Sequence, residues 1–216
     1  MIEIYKGVIF DLDGTILDSM EVWETVDEIF LAENGVVDHA NISDIVKKMS
    51  IEESAQFFID EFKLSHTNDY VIKRIEEIVS EQYAKNIELK PYAEKFLDWL
   101  DEKNIPYCVA TATYKTLAES ALKRLGVLDR FKFVLTCSDV GEGKTSPKVY
   151  LCATEKLGFL PSETAVFEDA LHCMETAKKA GFYVVGIYDK ISADDWNDIT
   201  KICDKTVVSF KELIVD

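Results

Sequence analysis

Residues 8–19 read VIFDLDGTILDS, an apolar run that ends on two aspartates one residue apart. In extended chain, residues two apart point the same way. Asp11 and Asp13 would therefore be close neighbours until the chain turns at Gly14. Close carboxylates hold either a proton or a cation. Other reactive side chains also stand directly after apolar runs: Thr111 in Thr111-Ala112-Thr113, Ser138-Asp139 with the loop Gly141–Pro147 that carries Lys144, and the pair Glu168-Asp169. Hard oxygen ligands around a partly open site suit Mg2+. A metal there would screen the repulsion between a phosphate and a carboxylate nucleophile, and Lys144 would add a second positive charge. The Thr111 hydroxyl and backbone N–H groups at the strand ends would hold phosphoryl oxygens. The chemistry that fits is phosphoryl transfer. One aspartate attacks phosphorus to give an aspartyl-phosphate, and the other protonates the leaving alkoxide and later takes a proton from water. Metal and lysine stabilise the charge on the transferring group.

Such a set needs one sheet edge to gather it. Short apolar runs at Gly7–Phe10, Tyr107–Ala110, Phe133–Thr136, Ala165–Phe167 and Tyr183–Ile187 read as buried strands. Helical patterns lie between them, at Tyr92–Glu102, Leu117–Leu125, Val149–Leu157 and Thr176–Ala180, the last three followed by Gly126, Gly158 and Gly181. The alternation predicts an α/β fold, a doubly wound parallel sheet, whose ligands sit beyond the carboxyl ends of the strands. Leu17–Leu89 breaks the rhythm. Glu21–Leu31, Ser43–Phe62 and Asp69–Asn86 read as amphipathic helices, with turns at Asn34-Gly35 and Ser65–Asn68. The expected organisation is a core domain of residues 1–16 and 90–216 and an inserted all-helical domain of residues 17–89, closed at Pro91.

These stretches, in this order, resemble the haloacid dehalogenase superfamily. DLDGT is similar to its phosphatase pattern DxDGT, Thr111 to the hydroxyl of its second motif, Lys144 in GKTSPKVY to the lysine of the third, and Glu168-Asp169 in VFEDA to the acidic pair of the fourth. Residues 17–89 stand where that family carries a helical C1 cap. The resemblance implies that Asp11 is the nucleophile and Asp13 the general acid and base. It implies Mg2+ held by the Asp11 carboxylate, the Asp13 main-chain carbonyl and Asp169, with Glu168 as a direct or more distant ligand. Ala170 and Cys173 depart from the pattern of the fourth motif, and Lys148 stands where an acid is common. The implied activity is hydrolysis of a small phosphomonoester, such as a sugar phosphate or nucleotide. The alternatives are a phosphomutase of the β-phosphoglucomutase type and a non-catalytic phosphoester-binding protein. Thr15 stands where those mutases carry valine, and Lys48-Met49-Ser50-Ile51-Glu52 lacks their arginine for a distal phosphate.

The candidate substrate-binding residues are Thr15, Thr111, Ala112, Lys144, Trp23 and Lys48. Thr113 is an alternative to Thr111, and Lys148 competes with Lys144. Trp23 and Glu24 could face the cleft and Lys47 and Lys48 could bind a second anion, but cap packing for the tryptophan and a solvated helix face for the lysines are the simpler readings. Phe57, Phe58 and Phe62 read as the helical domain's own core. His172 reads as structural, and His39 and His66 as surface residues of the helical domain. The formal net charge of −16 over 216 residues disfavours nucleic acid and anionic membranes as partners. No apolar stretch has the length of a membrane span. MIEIYKGVIF reads as a first strand and not as a signal peptide. Five dispersed cysteines suit a reducing cytoplasm. A monomer acting on a small phosphorylated metabolite is expected.

Overall fold

The structure is a computed structural model, and it describes residues 5–36, 42–46, 49 and 51–214. The chain divides into two compact units, Met1–Ser19 with Ile87–Asp216, and Met20–Asn86. The helical unit is thus shorter at both ends than the expected insert of residues 17–89. The reason lies in the connecting strands. Leu17 bridges Leu89, and the Asp18 N–H donates to the Glu88 carbonyl at 2.9 Å, so both connections stay within the α/β unit.

The α/β unit is built on six parallel strands: β1 (Gly7–Phe10), β2 (Tyr107–Thr111), β3 (Val134–Thr136), β4 (Thr164–Glu168), β5 (Tyr183–Ile187) and β6 (Lys205–Val207). Their order is β3-β2-β1-β4-β5-β6. Strands in the middle of such a sheet are covered on both faces and so are apolar throughout; every residue of β1, β2 and β4 is buried. Alternate side chains go to opposite faces. Phe10 packs edge-on or tilted against Phe96, Tyr107, Phe131, Phe167 and Phe210. Ile9, Cys108 and Val166 belong to the other core, with Val149, Tyr150, Met174 and Ile199.

The helical unit contains α1 (Met20–Glu33), α2 (Ile42–Val46), α3 (Ile51–Phe62) and α4 (Asn68–Lys85). In the α/β unit follow α5 (Ala93–Glu102), α6 (Lys115–Arg124), α7 (Cys137–Val140), α8 (Lys148–Leu157), α9 (Leu171–Lys179) and α10 (Trp196–Ile202). The single helix expected over Ser43–Phe62 is therefore two. The Met49 N–H turns back to the Val46 carbonyl at 2.8 Å, and the second helix begins at Ile51. The helix placed at Thr176–Ala180 begins earlier, at Leu171. Strand β6 and helices α7 and α10 were not anticipated. Gly186 on β5 lets α10 approach closely: a Cβ there would lie 2.9 Å from Ile199 Cγ2 and 3.2 Å from Cys203 Sγ.

Within the helical unit, Phe30 stacks on Phe58, both fully buried, while Phe57 and Phe62 are half-buried. Arg74 on α4 donates two hydrogen bonds to Glu33 on α1, at 2.6 and 2.8 Å. Trp23 is partly exposed, and its Nε1–H donates to Tyr83 Oη at 3.3 Å. His66 pairs with Asn34 at 2.7 Å and stacks on Tyr70. Lys47, Lys48, His39 and the side chain of Glu24 lie outside the described residues.

Candidate active site

The strand order gathers the reactive residues. Central β1 has β2 on one side and β4 on the other, with Phe10 level with Val109 and Phe167. One residue beyond β1, Asp11 is therefore level with Ala110 and Glu168, and its N–H continues the ladder to the Phe167 carbonyl at 2.9 Å. Thr111 ends β2 and Glu168 ends β4, so three strand ends supply the site's floor. Gly14, at φ +76°, then turns the chain, a conformation that glycine adopts without a Cβ clash.

Lys144 is the cation at the centre. It is only 8% exposed, donates to Asp11 Oδ1 and to Glu168 Oε1 (the latter at 2.6 Å), and lies over the Tyr150 ring. Lys148, its competitor, instead pairs with Glu142 at 2.8 Å on the surface. Glu168 is 1% exposed and saturated. Its Oε1 also accepts from Tyr150 Oη at 2.8 Å, and its Oε2 accepts from the backbone N–H groups of Asp169 and Ala170 at 3.2 and 3.5 Å.

Among the described residues, the carboxylates that converge tightly enough for one ion are Asp11, Glu168 and Asp169, whose oxygens lie within 4.8 Å of one another. The Asp13 carboxylate is not in that group. Its Oδ1 accepts from Ser19 Oγ at 2.6 Å and its Oδ2 from Thr113 Oγ1 at 2.5 Å. Thr15 is fully buried and its hydroxyl donates to Asp169 Oδ1 at 3.4 Å, so it lies behind the acidic cluster. The Thr111 hydroxyl, also buried, accepts from the Thr113 N–H at 3.0 Å, and Ala112 between them is exposed. His172 is exposed, with its Nε2 3.2 Å from Cys173 Sγ. Reasoning from the sequence did not mark Ser19, Tyr150 or the Thr113 contact to Asp13. Ser19 and Tyr150 do lie inside the two most informative stretches, which was the available signal.

The electrostatics favour an added cation. Burial, then repulsion from Glu168, pushes the Asp11 carboxyl up to about 7, in spite of Lys144. Burial, then Asp11 and Glu168, raises Asp169 well above the ordinary carboxylate range. Burial alone would lower Lys144, but the Asp11 and Glu168 carboxylates outweigh it and hold the ammonium charged. An unfolded aspartate titrates at 3.8, so the folded protein binds the extra Asp11 proton between 3.8 and about 7. This contribution to stability is complete below the lower value and lost as pH rises through the upper one. With chelator present, the melting temperature is therefore expected to fall between about pH 4 and about pH 7, and Mg2+ should restore most of the loss at the higher pH. A thermal melt series with and without Mg2+ checks this; a Mg2+ effect that does not grow with pH would count against it.

Residues 8–187 match the haloacid dehalogenase-like hydrolase family, and the chain belongs to that family. The validoxylamine A 7'-phosphate phosphatase of Streptomyces hygroscopicus subsp. limoneus is 29% identical over 85% of this chain and 86% of its own. The fructose-1-phosphate phosphatase YqaB of Escherichia coli is 27% identical over 87% of this chain and 98% of its own. The crystal structure of β-phosphoglucomutase from Clostridium difficile superposes with a TM-score of 0.70 at 19% identity, over 97% of this chain and 93% of the other, a likeness of fold. The expected enzyme class, a phosphoric monoester hydrolase, is the one these curated relatives carry, and the expected α/β core with its parallel sheet is the fold observed. No helix among the described residues is long and apolar enough to cross a membrane.

Proposed function

We propose that this protein is a Mg2+-dependent phosphatase of small phosphomonoesters that works through an aspartyl-phosphate on Asp11. The observation that carries the reading is the Asp11 carboxylate, buried at the end of β1 against the Lys144 ammonium, with the Asp13 carboxylate held two residues away. Three buried carboxylates that repel one another fit a hard divalent cation. Asp11, Asp169 and the Asp13 carbonyl would hold it, with Glu168 as a direct or more distant ligand; when bound it supplies positive charge to the transferring group.

The chain's own residues then divide the work. An Asp11 oxygen forms a bond to phosphorus as the ester oxygen leaves, and Asp13 gives that oxygen a proton. Water next attacks phosphorus, its proton goes to Asp13, and the bond to Asp11 breaks. Lys144 neutralises charge that builds on the phosphoryl oxygens. Thr111 would donate to those oxygens, a role supported by its hydroxyl oxygen accepting from the Thr113 N–H. The helical unit is the candidate for selecting the substrate, and Trp23 and Lys48 are its candidate contacts. The fructose-1-phosphate phosphatase activity of one curated relative supports a sugar phosphate as the substrate class. The Thr15 contact to Asp169, which valine could not make, supports phosphatase over mutase.

Phosphate release from a panel of sugar, polyol and nucleoside monophosphates, with Mg2+ and with chelator, tests this. Release with Mg2+ and its loss with chelator are expected. Silence from the folded, Mg2+-supplied protein across the panel would overturn the reading, and interconversion of hexose phosphates without net phosphate release would replace it with the mutase.

A further inference from the structure

We infer that Thr113 is a positioning residue for proton transfer, fixing the Asp13 carboxylate and the Thr111 hydroxyl together. The inference rests on the phosphatase reading above and adds a residue to it. Two contacts from one residue carry it. The Thr113 hydroxyl donates to Asp13 Oδ2 at 2.5 Å, and the Thr113 N–H donates to Thr111 Oγ1 at 3.0 Å.

The consequences differ for the two partners. Asp13 must present one oxygen to the leaving group, and a carboxylate on a turn has two free torsions. Ser19 grips Oδ1 and Thr113 grips Oδ2, so the plane of the group is fixed from both sides. Such grips matter because proton transfer needs the acid within about 3 Å of its target, and a small misplacement costs rate steeply. For Thr111, accepting a hydrogen bond from the backbone N–H leaves its own proton free to point outward. The side chain of Thr113 therefore serves Asp13, while its main chain serves Thr111, and the two roles separate by mutation. Thr113→Val keeps the shape and the N–H and removes only the grip on Asp13, whereas Thr113→Ser keeps the hydroxyl.

The test compares kcat/KM on two substrates that differ in their need for an acid: glycerol 3-phosphate, whose alkoxide must be protonated, and 4-nitrophenyl phosphate, whose leaving group departs unprotonated. For Thr113→Val, kcat/KM on glycerol 3-phosphate should fall on the order of tenfold and on 4-nitrophenyl phosphate by less than about twofold. Thr113→Ser should stay within about twofold of the wild type on both. Equal losses on the two substrates, no loss on either, or a serine variant as poor as the valine variant would overturn the positioning role. A wild-type protein inactive on both substrates and across the wider panel of monophosphates would instead strike at the phosphatase reading, which keeps the two failures apart.

Discussion

Asp11→Asn is expected to abolish phosphate release, a loss of about 10⁴-fold or more, with the fold intact. The amide has nearly the shape of the carboxylate but cannot attack phosphorus as an anion. Neither Glu168 nor Asp13 is free to stand in for it. Glu168 is engaged on both oxygens by Lys144, Tyr150 and two backbone N–H groups. Asp13 is turned toward Ser19 and Thr113. The same substitution should leave the metal-free protein more stable than wild type above about pH 7. It removes a buried carboxyl whose ionisation burial and Glu168 both oppose. Loss of turnover together with a higher melting temperature in chelator separates removal of the nucleophile from unfolding. An Asp11→Asn variant that turned over within tenfold of wild type would end the assignment.

Lys144→Ala is expected to be the second most damaging change, and it should hurt in two ways. Lys144 sits between Asp11 and Glu168, with both it and Glu168 almost fully buried. Removing one member of a buried ion pair costs on the order of 3–5 kcal/mol, because the remaining charges are left uncompensated. Catalytically, the loss of a preorganised positive group beside the transferring phosphoryl group should cost about 10²–10³ in kcat. The two effects respond differently to Mg2+. Added metal should recover much of the stability, since it supplies charge to the same carboxylates, but not the rate. Arginine should not rescue the variant, because its planar fork does not place a compact charge between Asp11 and Glu168 as the ammonium does. Denaturant melts beside kcat measurements, with and without Mg2+, check this; a variant with normal kcat would show that Lys144 only balances charge in the core.

Much of the site could be read from the sequence because each reactive residue follows a buried strand. Apolar runs on β1, β2 and β4 end directly at Asp11, Thr111 and Glu168, and a parallel sheet brings such ends to one edge. The parts that could not be read had weaker local signals. Strand β6 is three residues, Lys-Thr-Val, two of them half-buried, held by pairing with β5 and not by its own apolarity. Helix α7 is a single turn fixed by a reciprocal cap between Thr136 and Asp139. The division of Ser43–Phe62 into α2 and α3 depends on a turn at Val46–Met49, within a stretch whose apolar spacing alone suits one helix. The Thr113 and Ser19 grips on Asp13 join residues 100 and 6 positions apart. Only the folded register of β1 beside β2 brings Thr113 to that carboxylate.

The most direct test of the central claim is to quench the wild-type protein in acid during turnover and map the phosphoryl group by peptide mass spectrometry. The account predicts one phosphoryl group on the peptide that contains Asp11, removed by hydroxylamine as an acyl phosphate must be, and absent from Asp11→Asn. A phosphoryl group on any other residue, or none at all in rapidly quenched enzyme that is turning over, would contradict it.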